Sequence, residues 1–322
     1  MISVIIPNYN GVNVVCRAID SVIAQEVPDV EIIVVDDCST DASCDVVRSY
    51  GSKVHLIALP HNMRVNGARN AGLDACHHNC VMFLDNDDYL LPGTLAAWHE
   101  DLHESGADAV IGPMLYEFNG HLTQCERAAM PPYGLRSGLE TAEAWLDSWV
   151  APCCVLWKRY MVESSGKWYL PASRSRDTDG ELVWRAALHN ARFYWSEKGA
   201  GVYVQHDSAD RLSLQRDGMA YDSHFDWISN LVSLALRKDP RFNEVFAKLA
   251  YSLARECYAQ SFVEQGRKFE MLYRSISDRD VLAGTVPHKI LTKLLGLRRK
   301  ETLSRFLRLG RNGSQKRVPD RL

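Results

Sequence analysis

The first 105 residues repeat one rhythm four times: a short, continuously apolar run followed by a stretch with apolar residues at helical spacing. The runs are Ile2 to Ile6, interrupted only by Ser3, then Val30 to Val35, Val54 to Leu59 and Val81 to Leu84. Runs this short, without polar alternation, suit strands covered on both faces. Pro7 is expected to end the first. Val12, Val15, Ile19, Val22 and Ile23 then recur at helical spacing, and Pro28 stops that helix. Ser39-Thr40-Asp41 can cap a helix over about 42–50. Asn66 to Ala75 reads as helical, and another helix follows Pro92. Strands alternating with helices build βαβ units and a parallel sheet. The expected fold class is α/β: a Rossmann-like, mostly parallel sheet flanked by helices.

Beyond about residue 105 the rhythm loosens. Ala109 to Gly112, Phe193 to Trp195 and Val202 to Gln205 read as strands, and Trp145, Trp149, Trp157, Trp168 and Trp184 crowd the interval. These tryptophans are either core or stacking surfaces. From about 220 the chain is mostly helical. The expected division is 1–220, in two halves at 115/116, and a helical C-terminal extension over 221–322.

Two of the strands end in acid clusters, Asp36-Asp37 and Asp85-Asn86-Asp87-Asp88. In a parallel sheet both fall at the carboxyl edge, where ligands of open α/β sheets bind. Carboxylates packed so closely repel one another unless a cation lies between them. Hard cations such as Mg²⁺ take one or two carboxylates together with substrate phosphates. The plain alternatives are a solvated turn for Asp36-Asp37 and a capping cluster for Asp85 to Asp88. No G-x-G-x-x-G follows the first strand, and no G-x-x-x-x-G-K-[ST] occurs. A dinucleotide fingerprint and a P-loop are therefore excluded. Arg69, opening a helix in Gly67-Ala68-Arg69-Asn70-Ala71-Gly72, brings a planar fork suited to a base carbonyl or a phosphate.

Four segments stand in order: Ile5-Ile6-Pro7-Asn8-Tyr9-Asn10, Val34-Val35-Asp36-Asp37-Cys38-Ser39-Thr40-Asp41, Ala68-Arg69-Asn70-Ala71-Gly72-Leu73 and Phe83-Leu84-Asp85-Asn86-Asp87-Asp88. Together they resemble the signatures of the family 2 glycosyltransferases, which have the GT-A fold. The resemblance covers about 1–115 well and 150–215 more loosely. It implies an inverting transfer of sugar from a nucleotide sugar, with UDP-sugars as the default, to a hydroxyl of a glycan or lipid-linked acceptor. It implies a nucleotide-sugar half over 1–115 and an acceptor half over 116–220. Pro7 and Tyr9 would line the base pocket, Asp36 or Asp37 would contact the base, and Arg69 would lie beside it. Asp87 would ligate a divalent cation, Mg²⁺ or Mn²⁺, and Asp85 would hold the ribose or a metal-bound water. His206 is a second-tier candidate for the metal or diphosphate. The family's catalytic acid pair corresponds to Thr178-Asp179, six or seven residues before Arg185. Thr178 replaces the usual Glu, so the base falls to Asp179, with Asp177 and Glu181 as alternatives.

Two other readings compete. A nucleotidyltransferase making nucleotide sugars would carry a Gly-rich basic loop where Pro7-Asn8-Tyr9-Asn10-Gly11 stands. A non-catalytic nucleotide-sugar binding protein finds its support in Thr178.

The net charge of −3 conceals a basic tail: residues 284–322 hold eleven Lys or Arg against two acidic residues. Apolar residues recur there at helical spacing, as at 290, 294 and 297. A basic amphipathic helix of this kind suits an anionic membrane surface; the alternative is a helix packed on the body. No aromatic platform accompanies the charge, so nucleic acid is not an expected partner. Nine scattered cysteines and an N-terminus that reads as a strand rather than a leader suggest a cytoplasmic protein. No run of about 18 apolar residues occurs, so no spanning helix is expected; a peripheral place at the inner face of the cell membrane follows if the basic tail binds it.

Overall fold

In a computed structural model, the structure describes residues 1–25, 27–124, 133–146, 151–170, 179–205, 218–277, 297–298 and 300–301, with Asp179 in backbone only. His206, Asp177, Thr178, Trp149 and most of the basic tail lie outside the described residues. The chain divides into two compact units, residues 1–172 with 177–215, and residues 173–176 with 216–322.

The first unit opens with β1 (Ile2–Asn8), α1 (Val15–Ile23), β2 (Val30–Asp36), α2 (Ser43–Arg48), β3 (His55–Ala58), α3 (Arg64–Ala75) and β4 (Cys80–Phe83). It continues through β5 (Tyr89–Leu90), α4 (Thr94–Ser105), β6 (Ala109–Ile111), β7 (Met114–Phe118), β8 (His121–Gln124), β9 (Gly134–Arg136) and α5 (Gly138–Trp145). The unit ends with β10 (Val155–Lys158), α6 (Arg159–Ser164), α7 (Asp179–Leu188), β11 (Phe193–Trp195) and β12 (Gly201–Gln205).

The main sheet has the order β3-β2-β1-β4-β10-β6-β11-β9. β3, β2, β1 and β4 pair in parallel. β10 runs against both β4 and β6, and β9 runs against β11. Every residue of β1 is buried, as a strand central to a two-sided sheet requires. α1 covers the sheet with Val15, Ala18, Ile19 and Val22, the i, i+3, i+4, i+7 stripe of an amphipathic helix. Burial of each Val or Ile there contributes about 1.5–3 kcal/mol. Helix α3 comes closer still. A Cβ on Gly72 would strike Ile5 Cγ2 and crowd Val35 Cγ2, so only glycine lets that helix rest on β1 and β2.

Pro7 does not end β1. It pairs with Val35 of β2, and the strand runs on to Asn8. The reason is local. The Ile5 carbonyl accepts from Leu84, on the β4 side, whereas the Asn8 carbonyl accepts from Asp37, on the β2 side. By alternation Pro7 faces β4, whose pairing with β1 has already stopped at Phe83. The missing N–H therefore costs no ladder bond. β3 is shorter than its apolar run because it is the sheet edge, where its residues are exposed or half-buried.

A second sheet, β5-β12-β7-β8, stands beside the D-N-D-D segment. Its strand β8 is exposed throughout. The tryptophans resolve to core: Trp145, Trp157, Trp168 and Trp184 are all buried.

The second unit contains α8 (Gly218–Lys238), α9 (Asn243–Ala259) and α10 (Val263–Ile276). Its interior is aromatic, with Tyr251 edge-on to Tyr273 and Phe225 edge-on to Phe269. Tyr258 donates to Glu270 at 2.7 Å. The described part of the basic tail packs rather than standing free. Leu297 and Glu301 are buried, and Glu301 pairs with Arg255 at 3.0 Å and with Lys300 at 2.8 Å. Among the described residues no helix is long and apolar enough to cross a membrane.

Candidate active site at the carboxyl edge of the sheet

Parallel register puts the ends of β1, β2 and β4 together: Asn8 lies opposite Asp36, and Ile5 opposite Phe83. A chain of hydrogen bonds ties the three ends. Asn86 Nδ2 donates to Asn8 Oδ1 at 2.8 Å, and Asn8 Nδ2 donates to Asp36 Oδ2 at 2.9 Å. Gly11 leaves room for this, because a Cβ there would strike both Asn86 and Asn8. Pro7 is buried in this edge and Tyr9 is exposed beyond it.

Asp36 and Asp37 are both buried but differently employed. Asp36 accepts the Ser39 amide at 2.9 Å and the Ser39 hydroxyl at 2.6 Å besides Asn8. Burial pushes its pKa up, and the donors of Ser39, Asn8 and Cys44 outweigh it, leaving the carboxyl below its ordinary value. Asp37 accepts the Met63 amide at 2.6 Å, just before α3. Burial holds Asp37 above its ordinary value despite the Met63 and Arg64 amides. Asp41 accepts the Ser43 amide at 3.0 Å, securing the start of α2.

Arg69 is 2% exposed, so it lies beneath the surface rather than presenting its fork to solvent. Its Nη2 pairs with Asp85 Oδ1 at 2.7 Å, its Nη1 donates to Asn66 Oδ1 at 3.2 Å, and its guanidinium lies 4.3 Å from the Trp168 ring. The loop that carries Trp168 is clasped from both sides. Asn70 exchanges two hydrogen bonds with the Trp168 backbone, at 2.9 and 3.0 Å, and Asn66 donates to the Tyr169 carbonyl at 2.8 Å. From α7, Arg185 donates to the carbonyls of Ser165 and Lys167.

Each residue of D-N-D-D is held by a different element. Asp85 is held by Arg69 of α3, and Asn86 by Asn8 of β1. The Asp87 carbonyl accepts from Arg17 of α1 at 3.0 Å. Asp88 Oδ1 accepts the Val204 amide of β12 at 2.9 Å, and the Cys153 thiol donates to its Oδ2 at 3.5 Å. Burial, then the charges of Asp87 and Asp85, hold the Asp88 carboxyl well above its ordinary value. This bond sets the end of β12 beside the acid cluster.

The donor chemistry fits a hard divalent cation. Among the described residues no three potential ligands cluster. Two carboxylates completed by phosphate oxygens is the ordinary arrangement for Mg²⁺ at a diphosphate.

Asp179 is the first residue of α7. Glu181, the alternative base, is committed elsewhere. It is 4% exposed and forms a two-pronged pair with Arg185, both contacts 2.7 Å. Burial and this pairing hold its carboxylate against Arg185. Sequence reasoning left Asn8, Asn86, Arg17, Asp88 and Arg185 without roles. Asn8, Asn86 and Asp88 carried a signal, since each lies inside a quoted motif.

Residues 3–163 match the sequence profile of "Glycosyl transferase family 2". The chain is 33% identical over 146 residues to the succinoglycan biosynthesis protein ExoO of Rhizobium meliloti, covering 44% of this chain and 42% of that protein. Matches to the leading curated relatives span less than half of their lengths. Among solved structures, S. aureus TarS 1–349 in complex with UDP-GlcNAc superposes with a TM-score of 0.75 at 18% identity, over 96% of this chain and 92% of that one. The mannosyltransferase PcManGT of Pyrobaculum calidifontis, in complex with GDP-Man and Mn²⁺, superposes with a TM-score of 0.56 at 16% identity, over 96% and 84%. These likenesses establish the GT-A fold.

Proposed function

The chain belongs to glycosyl transferase family 2, and from that premise we propose that it moves a sugar, with inversion, from a nucleoside diphosphate sugar to a hydroxyl of a glycan or lipid-linked acceptor. The nucleotide is uridine diphosphate by preference. TarS binds UDP-GlcNAc and covers nearly the whole chain. The setting is cell-surface polysaccharide synthesis, in keeping with a relative named for succinoglycan biosynthesis.

The observation that carries this reading is the hydrogen-bonded edge from Asp36 through Asn8 to Asn86, with the Arg69–Asp85 pair at the same D-N-D-D turn. It gives a nucleotide a firm floor and the diphosphate an acidic end wall. Pro7, Tyr9, Asp36 and Asp37 serve the base and ribose. Asp85 and Asp87, with His206 as a further candidate, would hold Mg²⁺ or Mn²⁺. A cation held there would neutralise charge growing on the departing diphosphate. Asp179 takes the proton of the acceptor hydroxyl as it attacks the anomeric carbon from the face opposite the leaving group. Arg185 supports that step indirectly by fixing the loop of residues 165–167 against α7.

The deciding assay measures nucleotide release from a panel of UDP- and GDP-sugars with and without Mn²⁺, in the native chain and in Asp87→Ala. Metal-dependent release that Asp87→Ala reduces by about 10²–10³-fold, with the melting temperature kept, supports the proposal. Sugar-1-phosphate and nucleoside triphosphate formed from added pyrophosphate would show a nucleotidyltransferase. Binding without turnover would show a non-catalytic binder.

A further inference from the structure

Arg17 lies outside every motif, on the first helix, yet it reaches three elements. Its Nη2 donates to the carbonyl oxygen of Asp87 at 3.0 Å, and its Nη1 pairs with Glu117 Oε1 of β7 at 2.9 Å. Its guanidinium lies 4.8 Å from the ring of Tyr89 in β5. Tyr89 closes the figure by donating its hydroxyl to Glu117 Oε2 at 2.6 Å.

This constellation is poorly suited to stabilising the fold. The Arg17 side chain is 39% exposed, and ion pairs in that setting contribute about 0–1 kcal/mol. What it restrains is specific. The acid turn is tight, with the Asp88 amide bonded to the Asp85 carbonyl at 3.1 Å. One peptide carbonyl in that turn, that of Asp87, is gripped by a charged planar fork. The fork is oriented in turn by a carboxylate with a tyrosine behind it. A guanidinium presents its two arms at a fixed angle, which an ammonium cannot imitate.

We infer that Arg17, oriented by Glu117 and Tyr89, is a positioning residue: it fixes the backbone from which the Asp87 carboxylate projects and thereby sets the affinity of the site for a divalent cation. The inference rests on the proposed role of Asp87. Partners one step removed from a metal ligand govern metal affinity, commonly by 10–100-fold. Arg17 touches neither donor nor acceptor in this account, so its loss leaves metal-free nucleotide binding intact.

The test is calorimetric titration of UDP at a series of Mn²⁺ concentrations, and again in chelator, for the native chain, Arg17→Met and Arg17→Lys. In the native chain Mn²⁺ strengthens UDP binding. Arg17→Met raises the Mn²⁺ concentration needed by about tenfold while UDP affinity in chelator stays unchanged. Arg17→Lys restores charge without the fork, and its midpoint stays shifted. An unchanged midpoint in Arg17→Met overturns the inference, as does an equal loss of UDP binding in chelator, or full recovery by lysine. If Arg17→Met fails to fold, Tyr89→Phe removes only the hydroxyl behind Glu117. A midpoint raised about two- to threefold supports the inference, and an unmoved one defeats it. A native chain whose UDP binding ignores Mn²⁺ condemns the metal role of Asp87 itself, an outcome distinct from failure of the Arg17 step alone.

Discussion

Arg69 and Asp85 form a 2.7 Å ion pair in which the arginine is 2% and the aspartate 27% exposed. The pair joins the A-R-N helix to the D-N-D-D turn, and the Trp168 ring closes over the guanidinium. A buried arginine in such a place acts as a strut. Its guanidinium sets where Asp85 points.

Arg69→Met is therefore expected to destabilise the first unit by about 3 kcal/mol, the low end for a broken buried pair, because Asp85 keeps part of its surface in water. Urea denaturation followed by tryptophan fluorescence measures this. A change below about 0.5 kcal/mol would show that the pair is not a strut.

Asp36→Asn tests the floor of the site through pH. The folded carboxyl is lowered from 3.8, so the native state binds fewer protons than the unfolded chain below that value. Its stabilisation is present above pH 3.8 and is lost as pH falls through the folded value. The native chain should lose stability along that descent, and Asp36→Asn should lose less of it. At neutral pH the variant should be weaker by about 1–3 kcal/mol, since an amide set among the donors of Ser39 and Asn8 leaves some of them unmatched. Identical acid slopes in the two proteins would refute the prediction.

Asp179→Asn should fold, bind UDP with Mn²⁺ as the native chain does, and lose about 10²–10⁴-fold in transfer. Glu181→Gln should instead lose stability, because Arg185 then keeps a buried charge without its carboxylate. If Glu181→Gln abolishes transfer in a fully folded protein and Asp179→Asn does not, the base is misassigned.

Leu297 and Glu301 are buried, which decides where a truncation can test the tail. Removing everything beyond 283 would strip Glu301 from Arg255. Ending the chain at 301 keeps that contact and deletes six basic residues. Full-length protein should float with vesicles rich in anionic lipid and the 1–301 chain should not; equal flotation would exclude the tail as a membrane anchor.

The sequence was most legible where burial is two-sided. β1, β2 and β4 announced themselves because a strand covered on both faces has little choice but apolar residues. Val155 to Trp157 form an equally buried strand, yet β10 is too short for periodicity to show, and a 3₁₀ turn rather than a helix precedes it. The acids of the site were legible by type and order. Their supports were not, because nothing local links Asn8 to Asp36 at a separation of 28 residues or Arg17 to Glu117 at 100. Such pairings are decided by register and topology. Glu181 gains its partner more locally. Four residues from an arginine on one helix, it meets the helical pairing rule, and burial turns that weak surface preference into a commitment.

The four anchors on Asp85 to Asp88, one each from α3, β1, α1 and β12, leave this turn almost no conformational freedom to surrender when a ligand arrives. A receptor prepared in advance pays little ordering cost on association. Among competing nucleotides, discrimination should then appear chiefly in how long each stays rather than in how fast each enters. An inhibitor aimed at this turn would meet a rigid template and gain most from matching its shape.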